Sequence, residues 1–250
     1  MSMFCSKMGI GRFLFSLIML LSVQGLFGKA ILRGAFYKEE PKGQKSNPVF
    51  TLEKTELLKN GVKVWESRFY NSKKELVALE KLMLVKGRPT EYAINQIQVQ
   101  EEGRFYLKDN ILKMYYSKNK RDSSATLIWD DTTILPPMIP SYLKTNKEEL
   151  KNKGPLSVKL VVPHLLTSVS YDFRLIDKNR APCLKSASYC VSFSPGYFFI
   201  RWMVDPLILS LGKDFRIMKA SGPSLLYIKE NLEDDWSPFK GDATFTYNAD

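Results

Sequence analysis

From Phe50 onward the chain keeps a rhythm that few folds accommodate: short apolar stretches, each closed by a tight-turn signal. Phe50–Leu58 ends at Asn60-Gly61, a pair suited to a two-residue turn because both central positions need positive φ. Val62–Tyr70 sets Trp65, Ser67 and Phe69 on one parity and Val62, Val64 and Arg68 on the other. Asn71–Lys74 is a polar turn, Leu76–Val85 is apolar on both parities, and Gly87-Arg88-Pro89 closes it. Tyr92–Gln100, a turn at Glu101-Glu102-Gly103, Arg104–Leu107, a turn at Asp109-Asn110 and Ile111–Ser117 complete the run. Six strands with short turns predict an antiparallel meander. No amphipathic helices are interleaved, which argues against a parallel βαβ sheet.

The second half continues in kind. Strands are predicted over Thr126–Trp129, Leu156–Val162, Ser168–Leu175, Cys183–Phe193, Leu207–Leu211, Phe215–Ala220, Leu225–Ile228 and Ala243–Tyr247. Val169, Tyr171, Phe173 and Leu175 alternate with Ser168, Ser170, Asp172 and Arg174, the pattern of a strand with one wet face. Ser221-Gly222-Pro223-Ser224 reads as a turn, and 229–241 as an acidic, turn-rich tail. A sheet this long curls. Helices are predicted over Pro140–Leu150, after the stiff apolar connector Leu135–Pro140, and over Tyr197–Val204. The expected fold is mainly β: a strongly curved antiparallel sheet, a half-barrel or open barrel, with two short helices over its concave face.

Tyr197–Leu211 is the most apolar stretch outside the N-terminal region, yet too short to cross a bilayer as a helix, which takes about 20 apolar residues. Arg201 and Asp205 lie four apart and are expected to form a structural ion pair on one helical turn. Pro206 ends that helix. Leu207–Leu211 is apolar on both faces apart from Ser210, so it needs cover on both sides.

The N-terminus has Lys7 and Arg12, the apolar run Phe13–Phe27, then the small residues Gly25, Gly28 and Ala30. That is the order of a secretory signal peptide, and an uncleaved anchor is its alternative. The expected organisation is a signal peptide over 1–30, an arm or loop over 31–49, and one antiparallel β domain over 50–250. Removing 1–30 takes away three bases (Lys7, Arg12, Lys29) and no acid, so the net charge of +11 becomes +8. Export to the periplasm or envelope of a bacterium follows from such a leader, and nucleic acid is then not expected as a partner. Cys183 and Cys190 are a disulfide candidate in an oxidising compartment, provided a turn near Lys185–Ser188 brings them together; two buried thiols are the alternative.

Little in the chain points to catalysis. It contains no HExxH, GxSxG or Walker motif, and its single histidine, His164, follows a proline at a strand end. No cofactor is expected, and one histidine without a CxxC pair argues against a metal site. Lys113, Lys118, Lys120 and Arg121 form a basic hairpin end, a solvated surface or a peripheral contact for anionic headgroups. An apolar cavity between sheet and helices would have Trp65, Tyr115, Trp129, Phe199 and Trp202 as candidate walls. The expected role is non-catalytic binding of an apolar or amphipathic envelope molecule, with a lipid, a lipoprotein or another envelope component as partner. The alternative is a structural or interaction module with a filled core.

Two stretches carry a resemblance. Residues 61–95, with GVxVWESRFY and GRPTEYAIN, and residues 194–224, SPGYFFIRWMVDPLILSLGKDFRIMKASGPS, resemble segments of uncharacterised exported bacterial β proteins. The resemblance implies an exported antiparallel β protein and transfers no catalytic residue. More distantly, the expected architecture is similar to that of periplasmic lipoprotein carriers, whose curved sheet is half-closed over an apolar cavity by short helices.

Overall fold

The structure, a computed structural model, describes residues 29–38, 47–177, 179, 181–197, 204–229 and 235–248. Its strands are β1 (Lys29–Lys38), β2 (Phe50–Lys59), β3 (Val62–Asn71), β4 (Leu76–Val85), β5 (Arg88–Gln96), β6 (Glu101–Lys108), β7 (Ile111–Lys118), β8 (Arg121–Ile128) and β9 (Thr133–Ile134). After an insertion come β10 (Leu156–Val162), β11 (Thr167–Leu175), β12 (Tyr189–Pro195), β13 (Leu207–Leu211), β14 (Ile217–Ile228) and β15 (Ser237–Tyr247). They form one 15-stranded sheet in the order β8-β7-β6-β5-β4-β3-β2-β1-β15-β14-β13-β12-β11-β10-β9. The chain starts mid-sheet, winds out to one edge at β8, crosses to the other edge at β9, and winds back until β15 pairs with β1.

That crossing fixes the curvature. Four residues, 129–132, join β8 to β9. Four residues reach about 14 Å at most, whereas fourteen strand spacings laid flat measure about 65 Å. The sheet must curl until its edges are neighbours, and β8 does approach β11. The result is an open barrel, mainly β as expected, with one parallel pair, β9 on β10. A parallel pair needs a crossover. Here it carries a 3-10 turn at Pro136–Met138 and two short helices, α1 (Ile139–Thr145) and α2 (Lys147–Lys153), into the concave side. Leu143 and Leu150 are their buried anchors, in one cluster with Val158, Phe173, Val191, Leu209, Leu211 and Phe215.

The hairpins follow from local chemistry. Asn60-Gly61, Lys86-Gly87, Asp109-Asn110 and Asn119-Lys120 all have positive φ at both central positions, the signature of the type I′ turn whose twist matches the flanking strands. β13 has the two-sided cover its sequence demands. Its concave side joins the α1–α2 cluster, and its outer side lies under the loop that ends at Cys190, where Leu184 N donates to Ser210 Oγ at 3.0 Å. Cys183 and Cys190 are disulfide-bonded, with Cα atoms 6.2 Å apart across a turn that includes Ala187 N donating to Leu184 O.

Four expectations need correction. Residues 31–49 are not all arm: 29–38 form β1 at the centre of the sheet, paired with β2 and β15. Glu101-Glu102-Gly103 opens β6; the turn lies earlier, in the 3-10 segment Ile97–Val99 and left-handed Gln100. Ser221–Ser224 lies inside the 12-residue β14, where Gly222 is needed because a Cβ there would meet Pro206 O at 2.8 Å. The predicted Pro140–Leu150 helix is two helices meeting at Asn146, whose backbone is not helical. The helix expected over Tyr197–Val204 falls mostly outside the described residues, as do 1–28.

Candidate ligand cavity

An apolar cavity of about 370 Å³ lies between the concave face of β10–β15 and the connector Pro136–Ile139. Its walls include Phe36, Leu160, Tyr171, Phe193, Leu207 and Phe245. Each reaches the interior by strand alternation: Phe36 faces Ala243 in register, and Phe193 faces Leu207. Phe173 and Phe193 stack at 4.4 Å between centroids, Tyr171 and Phe193 at 4.6 Å, so the aromatic wall is fixed by ring contacts. Gly222 and Gly241 are register partners on the same lining. A Cβ on Gly241 would run into the Tyr37 carbonyl, so glycine keeps this part of the wall bare.

A second cavity of about 220 Å³ adjoins it, sharing Phe36, Pro136, Ser224 and Phe245, and extends toward β2–β5. Its lining is still mostly apolar, but Glu80 and Gln96 enter it. Lys54, Ser67 and Glu80 are register neighbours across β2, β3 and β4, and form a polar row in which Ser67 is buried and the two charged side chains are half-buried. Tyr92 donates its hydroxyl to Glu80 Oε1 at 3.0 Å. Burial pushes the Glu80 carboxyl above its ordinary value, with the Tyr92 hydrogen bond and the Lys54 charge opposing. Burial lowers the Lys54 ammonium, against the fields of Glu80 and Glu56. That ammonium sits 4.4 Å over the Trp65 ring. Trp65 Nε1 in turn donates to Glu56 Oε2 at 2.6 Å, and Lys63 pairs with Glu56 at 3.1 Å. For Glu56, burial raises the carboxyl, but these donors outweigh it and leave it lowered.

The five expected wall residues are not brought together. Trp65 lines a separate recess of about 350 Å³ with Met138 and Ser141, on the far side of the connector. Trp129 is buried with Leu135 and Val161 and fills core rather than lining space. Tyr115 is on the outer face against Tyr106, 6.2 Å away, since its parity opposes that of buried Leu112 and Met114. Phe199 and Trp202 lie outside the described residues. So does Arg201, and with it the expected Arg201–Asp205 pair; Asp205 pairs with Lys240 at 2.9 Å. His164 is exposed at the surface, yet partial desolvation lowers its pKa; Glu101, paired with Lys118 at 2.7 Å, opposes the shift by its charge.

The residues that do line the cavity left partial signals in the sequence. The parity of Tyr171 and Phe173 on β11 was readable. Phe36 was hidden in a segment flanked by charges and prolines, and Phe245 gains its place only because β15 pairs with β1. No protein-family model matches the chain, and no curated protein or solved structure matches it either.

Proposed function

We propose that this chain is an exported, non-catalytic carrier that takes an apolar or amphipathic molecule of the cell envelope into the space between its curved sheet and the Pro136–Ile139 connector. The observation that carries this reading is the 370 Å³ cavity with its aromatic and aliphatic walls. Small-molecule sites start at about 300 Å³ and are mostly apolar with a few placed polar groups. The neighbouring cavity supplies such a group in Glu80. The Cys183–Cys190 bond supports an oxidising compartment, as does the signal-like N-terminus. The distant similarity to lipoprotein carriers is one of architecture, and the ligand class rests on the cavity alone.

The test is direct. Organic extraction of the purified chain, followed by mass spectrometry, should recover a bound amphiphile, and a fluorescent fatty-acyl probe should bind in competition with it. Ala220→Trp places an indole in the cavity lined by Ala220 and Ala243 and should abolish probe binding while leaving the far-UV spectrum unchanged. An empty extract, together with a probe that ignores Ala220→Trp, would overturn the reading in favour of a structural envelope module.

A further inference from the structure

Antiparallel pairing places the turns of the β2–β3, β4–β5 and β6–β7 hairpins on one rim of the barrel, and the end of β8 joins them because Ile111 and Ile128 are register partners. Each tip exposes an aliphatic side chain: Leu58 (67 % exposed), Val85, Ile111 and Ile128 (82 % exposed). Each hairpin also carries cations: Lys59, Lys86, Arg88 and Lys108. None of these four makes an ion pair among the described residues, though Arg88 donates to Asn110 Oδ1 of the next tip. The acids beside these tips are Asp109, Asp131 and Asp130, the last tied to Lys159; further round the same rim the β13–β14 turn carries Asp214, paired with Arg216 at 2.9 Å. Hairpins two strands apart are spaced about 10 Å, so the rim offers a row of aliphatic groups interleaved with positive charge.

We infer that this rim docks on the surface of an anionic phospholipid bilayer. Ile128, largely wetted at the end of an edge strand, gains nothing from water; with Leu58 at the mouth of the Trp65 recess and the partly exposed Val85 and Ile111 along the same rim, it marks an interaction surface. Seated at the headgroup boundary they bury apolar area, while Lys59, Lys86, Arg88 and Lys108 meet lipid phosphates. The recess beside Trp65 opens between the first two tips, lined by Gly61, Lys63, Lys86 and Gly87. The rim is independent of the cavity reading, because none of its exposed aliphatics lines the 370 Å³ cavity.

The experiment uses the full chain with Cys5→Ser, so that an added cysteine is the one free thiol beside the disulfide. An environment-sensitive fluorophore is attached at Leu58→Cys or Ile128→Cys, and at Leu165→Cys on the opposite rim as control. With phosphatidylglycerol vesicles the two tip probes should shift to the blue and the Leu165→Cys probe should not; with phosphatidylcholine vesicles none should shift. Lys86→Gln with Lys108→Gln should raise the lipid needed for half the shift about 30-fold, at roughly one headgroup interaction lost per lysine. An equal shift on both rims, no shift at the tips, or a shift indifferent to lipid charge would overturn the proposal. Attachment through any other segment leaves the tips unchanged and falls under the second of these outcomes.

Discussion

The wall built by β2–β5 turns Lys54, Glu56, Glu80 and Tyr92 toward the interior, whereas the wall built by β11–β15 turns Tyr171, Phe173, Phe193, Leu207 and Phe245 inward. The two differ in connection as well. On the β2–β8 side, four hairpins close through two-residue turns. On the other, the links are a crossover with two helices, a disulfide loop and the 196–206 connection. The first wall is held in shape by its own turns and can carry half-buried charge. The second has tight turns only at Pro163–Leu166 and Gly212–Arg216 among its described links, and depends more on ring stacking, on the helices and on a covalent bond. The difference teaches that the two sides of one cavity are specified in different ways here, one mainly by local turn chemistry and the other mainly by packing.

The sharpest way to break the comparison is Phe173→Ala. Phe173 is fully buried, stacked on Phe193 and close to Tyr142 of α1. Its removal should cost about 3–5 kcal/mol in equilibrium denaturation, a loss the hairpin wall cannot absorb because the open barrel has one continuous sheet. A cost under about 1 kcal/mol would show that the aromatic wall is not what holds the second half together. Next in size is the disulfide. Cys183→Ser with Cys190→Ser opens a loop of sequence separation 7, and loop entropy predicts a loss of about 2–3 kcal/mol. Reduction of the wild-type chain should produce the same fall in denaturation midpoint.

How much of this was legible in the residues follows the same division. The turns at Asn60-Gly61 and Asp109-Asn110, the parity of Trp65, Ser67 and Phe69, and the bounds of Leu76–Val85, Leu156–Val162 and Leu207–Leu211 could all be read, because each is set by neighbours within a few positions. The cysteine turn could be read from covalent geometry alone. β1 could not: its sequence gives strand alternation to only a few residues, and its place is fixed by β15, more than 200 positions away. Gly222-Pro223 has the composition of a turn but is held extended by the close approach of Pro206. The site suffered most. Aromatic character singled out Trp129 and Tyr115, but the first fills core and the second faces out, and only register separates a wall from a surface.

Charge offers a finer test of the polar wall. Glu80 is half-buried, with its carboxyl raised above its ordinary value. The native chain therefore holds that proton at pH values where the unfolded chain has lost it, and stability falls as pH rises from the ordinary carboxyl range through the raised value. Glu80→Gln removes this contribution. Its unfolding free energy should fall less steeply than that of the wild type across that window, by at most about 1.4 kcal/mol per pH unit for one proton. Parallel profiles would mean that Glu80 titrates normally and that the second cavity is wetter than its lining implies.

The smallest effect belongs to the hairpin wall itself. Gly87 has φ +81°, and a Cβ built there meets nothing within 4 Å. Gly87→Ala is thus a conformational test with no steric part, and should cost about 1 kcal/mol for placing an L side chain in the left-handed region. The same change at Gly241, on the cavity lining, drives a Cβ into the Tyr37 carbonyl, so there the obstacle is space. If Gly87→Ala leaves the denaturation midpoint unmoved, the β4–β5 turn is not what sets register on this side, and the contrast between a locally specified wall and a packed one fails at its best-defined hairpin.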